Sequence, residues 1–382
     1  MRGSPSCDDL LAEKAKGRLQ PRLAESDRLR FDVAIGDSSR EIYSWVGEDR
    51  FDDRGLFQLV RDGVASTGSY AGFLAAVFGG TAADISYNGD VVIDGRTLLE
   101  FGFQVSRGKS TYVFGNGQSR IITAYGGTFL VDPVKSDLVR LEVRTTQLPA
   151  DVGSCEAATT LDYNRVHLND LDFLLPREVQ LEIVDTNGDE WHNRTAYSAC
   201  HEFRGESKLS FDESDESPVA IAAAPGKASA SAALTLPEGS PFIVTFTDAV
   251  DLSAASTGDR VRGKLSKAIR DSTNRVVIPE GSGILARIVK LEHFYAAPPW
   301  FTVGFKLESV VVDGTPHPLV AIFNSSVRRF EKQAGLRRRV PVGTFESLED
   351  PAVAIMEFRD TEQDRVLRGL ETTWKTAAPS RH

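Results

Sequence analysis

Residues 98–132 read LLEFGFQVSRGKSTYVFGNGQSRIITAYGGTFLVD, and this stretch decides the fold. It consists of short runs rich in aromatic and β-branched residues, broken by glycine-bearing turns, which is the pattern of an antiparallel meander. The pattern extends outward. Asn88-Gly89 and Asp94-Gly95 precede it, Asn116-Gly117 interrupts it and Asn187-Gly188 follows. These dipeptides tolerate the positive φ of tight hairpin turns. LVRLEVRTTQL (138–148), TTLDYNRV (159–166) and REVQLEIVD (177–185) continue the strands. Upstream, LRFDVAIG (29–36) and REIYSWVG (40–47) read as a further hairpin.

The charged leader DDLLAEKAKGRLQPRLAESDRLR (8–30), broken by Pro21, reads as a helix, and one further segment in this half is helical. Leu56, Leu59 and Val60 fall at i, i+3, i+4, and Tyr70, Phe73, Leu74, Val77 and Phe78 at i, i+3, i+4, i+7, i+8, one face of a helix closed by Gly79-Gly80. The domain reading follows: a polar leader over 1–28, an antiparallel β domain over 29–211 with a helical insert at 55–80, and a linker at 212–235. A small antiparallel β-barrel then covers 236–327, and 328–382 form a charged tail. Residues 212–235, DESDESPVAIAAAPGKASASAALT, have the Ala, Ser, Pro and Gly content of a flexible connection between independently folding units.

Composition narrows the function. The 382 residues carry 44 Lys+Arg against 54 Asp+Glu, and this net −10 disfavours nucleic acid and anionic lipid as general partners. No run approaches the ~18–20 apolar residues of a membrane-spanning helix. The basic positions Arg328, Arg329, Lys332, Arg337, Arg338 and Arg339 form a local exception without a nucleic-acid motif around them. Spacings for a P-loop, a dinucleotide fold, a GxSxG nucleophile or a zinc site are absent, so the expectation is a non-enzymatic protein without metal or cofactor. DTNGDE (185–190) superficially matches a calcium loop, but its glycine stands at the fourth position rather than the sixth, and a hairpin turn is the better reading.

Three cysteines are present. Cys155 and Cys200 adjoin strand-like sequence, whereas Cys7 lies in the polar leader. The expectation is a Cys155–Cys200 disulfide in an oxidising compartment, with two unrelated thiols as the alternative. MRGSPSC, the first seven residues, lacks the apolar region of a signal peptide. A periplasmic or envelope location therefore requires an export signal upstream of this chain; otherwise the protein is cytoplasmic.

The hairpin LRFDVAIG…REIYSWVG, the insert at 55–80 and the meander after Asp90 together resemble the LolA-type lipoprotein-carrier fold over about residues 29–211. FGFQV, YGGTFLVDP and FLLPREVQLEIVD also resemble uncharacterised envelope proteins of soil bacteria. The resemblance implies a curved antiparallel half-barrel whose cavity, walled by the helix faces named above, takes an acyl chain or lipoprotein. LPEGSPFIVTFTDAVDL (236–252), Thr257-Gly258-Asp259, RVRGKLSKAI (260–269) and VVIPEGSGILARIV (276–289) resemble the TrbI-type β-barrel of conjugation complexes. That likeness implies a barrel docking on an envelope partner. The functional expectation is a mainly β cell-envelope protein that binds an apolar ligand. The alternative is an assembly module whose first domain is solidly packed and empty.

Overall fold

The computed structural model describes residues 6–18, 21–35, 41–48, 51, 56, 70–115, 120–146, 148–201, 236–271, 273–324, 343–347, 350–360 and 365–377. Helix α1 spans Cys7–Ala15 and α2 spans Tyr70–Phe78. The strands of the first half are β1 Glu25–Asp27, β2 Phe31–Ile35, β3 Glu41–Trp45, β4 Ala83–Ile93, β5 Arg96–Val105, β6 Val113–Gly115, β7 Arg120–Ile122, β8 Ala124–Asp132, β9 Asp137–Thr146, β10 Ser154–Leu168, β11 Leu171–Asp185 and β12 Glu190–Ala196. Those of the second half are β13 Pro241–Phe246, β14 Val250–Asp251, β15 Arg260–Leu265, β16 Ile269–Arg270, β17 Val276–Ile278, β18 Gly283–Phe294, β19 Trp300–Val312, β20 Thr315–Pro318, β21 Ala321–Phe323, β22 Gly343–Glu346, β23 Val353–Arg359, β24 Arg365–Val366 and β25 Glu371–Thr376. The turn at Asn116-Gly117, the helical positions Leu59 and Val60, the 212–235 linker and the basic positions 328–339 lie outside the described residues.

The protein is mainly β, with one antiparallel sheet curled into a half-barrel and a second, seven-stranded antiparallel sheet. The seven-stranded sheet runs β12-β11-β10-β9-β8-β5-β4 and belongs to a unit made of residues 1–21, 35–41 and 54–224. Its register sets one apolar row across five strands: Phe101 opposite Phe129, Phe129 opposite Leu141, Leu141 opposite Leu161, Leu161 opposite Val179. Side chains alternate faces along a strand, so the intervening residues form the opposite, ionic face. There Arg140 pairs with Asp162 at 2.8 Å and Arg194 with Glu178 at 2.8 Å. DTNGDE forms a hairpin turn, with the Gly188 amide donating to Asp185 at 2.9 Å.

The disulfide differs from the expected one. Cys155 is bonded to Cys7, with a Cα–Cα distance of 5.2 Å, and Cys200 is a free thiol. Register supplies the reason. Cys155 is the extra residue of a bulge between Ser154 and Glu156, level with the start of β12. Cys200 lies past Ala196, which is level with Glu178 and Asp162. About seven residues of strand, roughly 20 Å, separate the two levels, far beyond the reach of an S–S bond.

The second unit comprises residues 22–34, 42–53 and 225–382. Its ten-stranded sheet runs β21-β25-β13-β15-β18-β19-β23-β22, with β1 also paired to β18 and β20 to β19. The sheet curls enough for the Phe323 amide of β21 to donate to the Pro351 carbonyl, just before β23, at 2.9 Å. In RVRGKL of β15 every second residue is buried, and these alternating side chains build a continuous core with Phe246, Phe305 and Trp374. Residues 328–382, read as a charged tail, supply β22–β25. Among their described residues Arg359, Glu371 and Lys375 are exposed, while Met356, Phe358 and Trp374 are buried.

Residues read as leader and first-domain hairpin likewise join this unit. β1 pairs with β18, placing Ser26 opposite His293, and Arg30 meets Asp259 at 3.0 Å. Arg287, whose side chain is 2% exposed, bonds Glu308 through Nε, the Gly258 carbonyl through Nη1 at 2.8 Å and the Val46 carbonyl at 3.3 Å. Its Nη2 also lies 3.2 Å from Glu48. A buried guanidinium requires such compensation, and residues just after β3 provide part of it.

Candidate functional site

In the first unit α2 covers part of the apolar face of the sheet. Its sequence, YAGFLAAVF, carries no charge, so packing rather than helix surface chemistry holds it in place. Phe73 and Val77 are buried among Phe103, Val105, Tyr125, Phe129 and Leu141. The Phe73 ring lies edge-on to Tyr112 at 5.2 Å and to Tyr125 at 6.0 Å. Leu74 is half-buried against the same cluster. Gly127 makes room in this layer. Its register neighbours are Phe103 and Val143, and a β-carbon there would approach the Phe103 ring to 3.3 Å.

The helix end is different. Phe78 is 45% exposed although its ring lies edge-on to Phe129 at 4.9 Å. Phe129 stacks on Phe101 at 5.0 Å, and Phe101 leans on Tyr87 at 5.4 Å. Tyr87 is 57% exposed and Ile85, opposite Phe103 on β4, is 47% exposed. The result is a run of aromatic contacts from α2 across β8 and β5 to β4, open at its two ends and buried at Phe129. The Tyr87 hydroxyl donates to Asp90, and that bond pushes its pKa above the ordinary value. Under the helix, burial raises the Tyr112 phenol to about 12, so it stays protonated.

The chain matches no protein-family model, no curated protein and no solved structure. The site therefore rests on its own geometry. Of the expected cavity residues, Phe73, Leu74 and Val77 pack into the core, Phe78 is the exposed member, and Leu56 is buried. Tyr70 opens α2. Phe101, Phe129 and Tyr87 were not anticipated as site residues. Their strand sequences were legible, but only register places three strands' aromatic rings side by side.

The second unit holds a separate aromatic cluster. His293 lies between Tyr295 and Phe301, each 4.0 Å away, and its Nε2 is 2.9 Å from Asp360. The Tyr295 hydroxyl is 3.1 Å from Ser26. These contacts fasten β1 and the residue after β23 to the end of β18. Among the described residues no three His, Cys, Asp or Glu side chains come together as a metal site, and no helix is long and apolar enough to cross a membrane.

Proposed function

We propose that this chain is a non-enzymatic bacterial cell-envelope protein that holds an apolar ligand, an acyl chain or a lipid-modified segment, against the exposed ends of the aromatic strip of its first unit. The carrying observation is the run Phe78, Phe129, Phe101, Tyr87, in which aromatic rings lie side by side while both ends remain about half exposed. The middle ring, Phe129, is buried and Phe101 is partly buried, so the apolar surface offered lies at the two ends, Phe78 and Tyr87. Exposed apolar surface of this kind marks ligand or partner contacts more often than ordinary surface does. The Cys7–Cys155 bond supports an oxidising compartment outside the cytoplasm. A barrel-type second unit that docks on an envelope partner completes this reading.

The assembly-module reading is favoured by one specific observation, the complete burial of Val77 and Phe73 against the sheet. The two readings separate on two variants. Phe73→Ala opens a core cavity and is expected to cost about 3–5 kcal/mol in urea unfolding under either reading. Phe78→Ala is expected to cost under about 1 kcal/mol, because the ring is half exposed. Under the ligand reading it also weakens uptake of a fluorescent fatty-acid probe about tenfold or more, a loss of ~1.4 kcal/mol. Absence of probe binding by the parent protein leaves the packed assembly module.

A further inference from the structure

We propose that α1 is a redox-released strap on the ionic face of the first unit, an inference independent of what the aromatic strip binds. Its attachments are few and of different kinds. Ser6 and Asp9 close a capping box, so the helix start is satisfied internally and needs nothing from the sheet. Leu10 is the helix's buried residue, with Cδ2 at 3.5 Å from where a β-carbon on Gly188 would stand. Lys14 reaches Glu182 at 3.2 Å and Glu190 at 3.5 Å. The third attachment is the bond from Cys7 to the bulge residue Cys155.

A nine-residue helix is not stable alone in water, and one apolar side chain plus one partly exposed ammonium hold it weakly. The covalent bond therefore dominates. Reduction by an external dithiol balances simply: the S–S bond breaks, two electrons and two protons pass to Cys7 and Cys155 as thiols, and the reductant closes its own disulfide. Release has a second effect. The Glu190 side chain is 6% exposed, and its Oε1 has no hydrogen-bond partner. Its Oε2 is shared by Lys14 and His192, the latter at 3.2 Å. Loss of Lys14 leaves a buried carboxylate facing only an imidazole, at the start of β12, which among the described residues pairs only with β11. The strap thus couples thiol state to opening of a sheet edge.

Hydrogen exchange on the full chain, before and after reduction confirmed by mass, tests this. Amides of residues 7–15 and 190–196 are expected to exchange about tenfold faster or more after reduction, while β8 and β9 keep their protection. Lys14→Met should leave residues 7–15 protected in the oxidised chain and speed their exchange further in the reduced one. Cys7→Ser should reproduce the reduced pattern without reductant. Unchanged exchange at 7–15 after reduction would overturn the proposal, because packing alone then holds the helix. A loss of protection spread evenly through β8 and β9 would also overturn it, since the bond is then a general staple.

Discussion

Arg287 shows how much one residue can organise. It is a long cation placed where its neighbours on β18, Ala286 and Ile288, are fully buried, and it survives there because four separate groups accept from it or oppose its charge. Replacing it by methionine keeps the volume and strands the acceptors. We expect Arg287→Met to lower stability by about 2–4 kcal/mol in urea unfolding of the full chain, somewhat below a wholly enclosed pair because Glu48 and Glu308 retain some water. Asp137 makes a different kind of pair. Arg165 bonds it through Nε at 2.8 Å and holds its carboxyl below the ordinary value. A depressed folded-state pKa contributes stability above the unfolded pKa of about 3.9 and loses it as pH falls through the folded value. The stability gap between the parent and Asp137→Asn should therefore be full at neutral pH and shrink below about pH 4 in acid unfolding. A gap independent of pH would mean the pair contributes only packing.

At the level of elements, β8 is packed tightly against both of its neighbours. A β-carbon on Gly127 would stand 1.8 Å from the Glu142 carbonyl oxygen, a backbone atom of the neighbouring strand, whereas one on Gly126 would meet the exposed Gln104 side chain at 2.4 Å. The backbone cannot yield and the glutamine can. Gly127→Ala is expected to cost at least about 1–3 kcal/mol, and Gly126→Ala clearly less, in matched denaturant curves. Equal costs would show that β8 and β9 can slide apart freely. The same level separates what the sequence could reveal from what it could not. Strand composition and the turns at Asp94-Gly95 and Asn187-Gly188 carried the mainly β fold, whereas Asn88-Gly89 is a bulge inside β4. The 3.6-residue periodicity carried α2. Which strand lies beside which is a long-range property, and two misreadings came from it. Cys155 and Cys200 both adjoin strands, yet their levels in the sheet differ. Residues 328–382 were read as one charged tail, yet within it VAIMEFR and ETTWKT form strands that bury Met356, Phe358 and Trp374. The aromatic strip was half legible. Phe78 stood out on its helix face, while Phe101, Phe129 and Tyr87 became partners only through register.

Across the whole molecule the chain does not run as two beads. Residues 22–34 and 42–53 belong to the second unit, and the segments on either side of them to the first. A protease site introduced between 212 and 235 therefore cuts the chain without dividing its structure. The N-terminal fragment keeps β1, whose partner β18 lies in the other fragment, and the residues after β3 that satisfy Arg287. The cut halves should co-elute on gel filtration and separate only in denaturant; separation under native conditions would show that β1 and the β2–β3 hairpin contribute little. The same pairing also imposes a schedule on synthesis. Ser26 and the Tyr295 it touches are 269 positions apart. At ribosomal speeds of about 5–20 residues per second, β1 leaves the ribosome roughly 15–50 s before its partner exists. During that interval it is an unpaired edge beside a growing chain, open to any strand that passes. A nascent-chain-binding factor acting on the first fifty residues would therefore matter more for yield than for the stability of the finished protein.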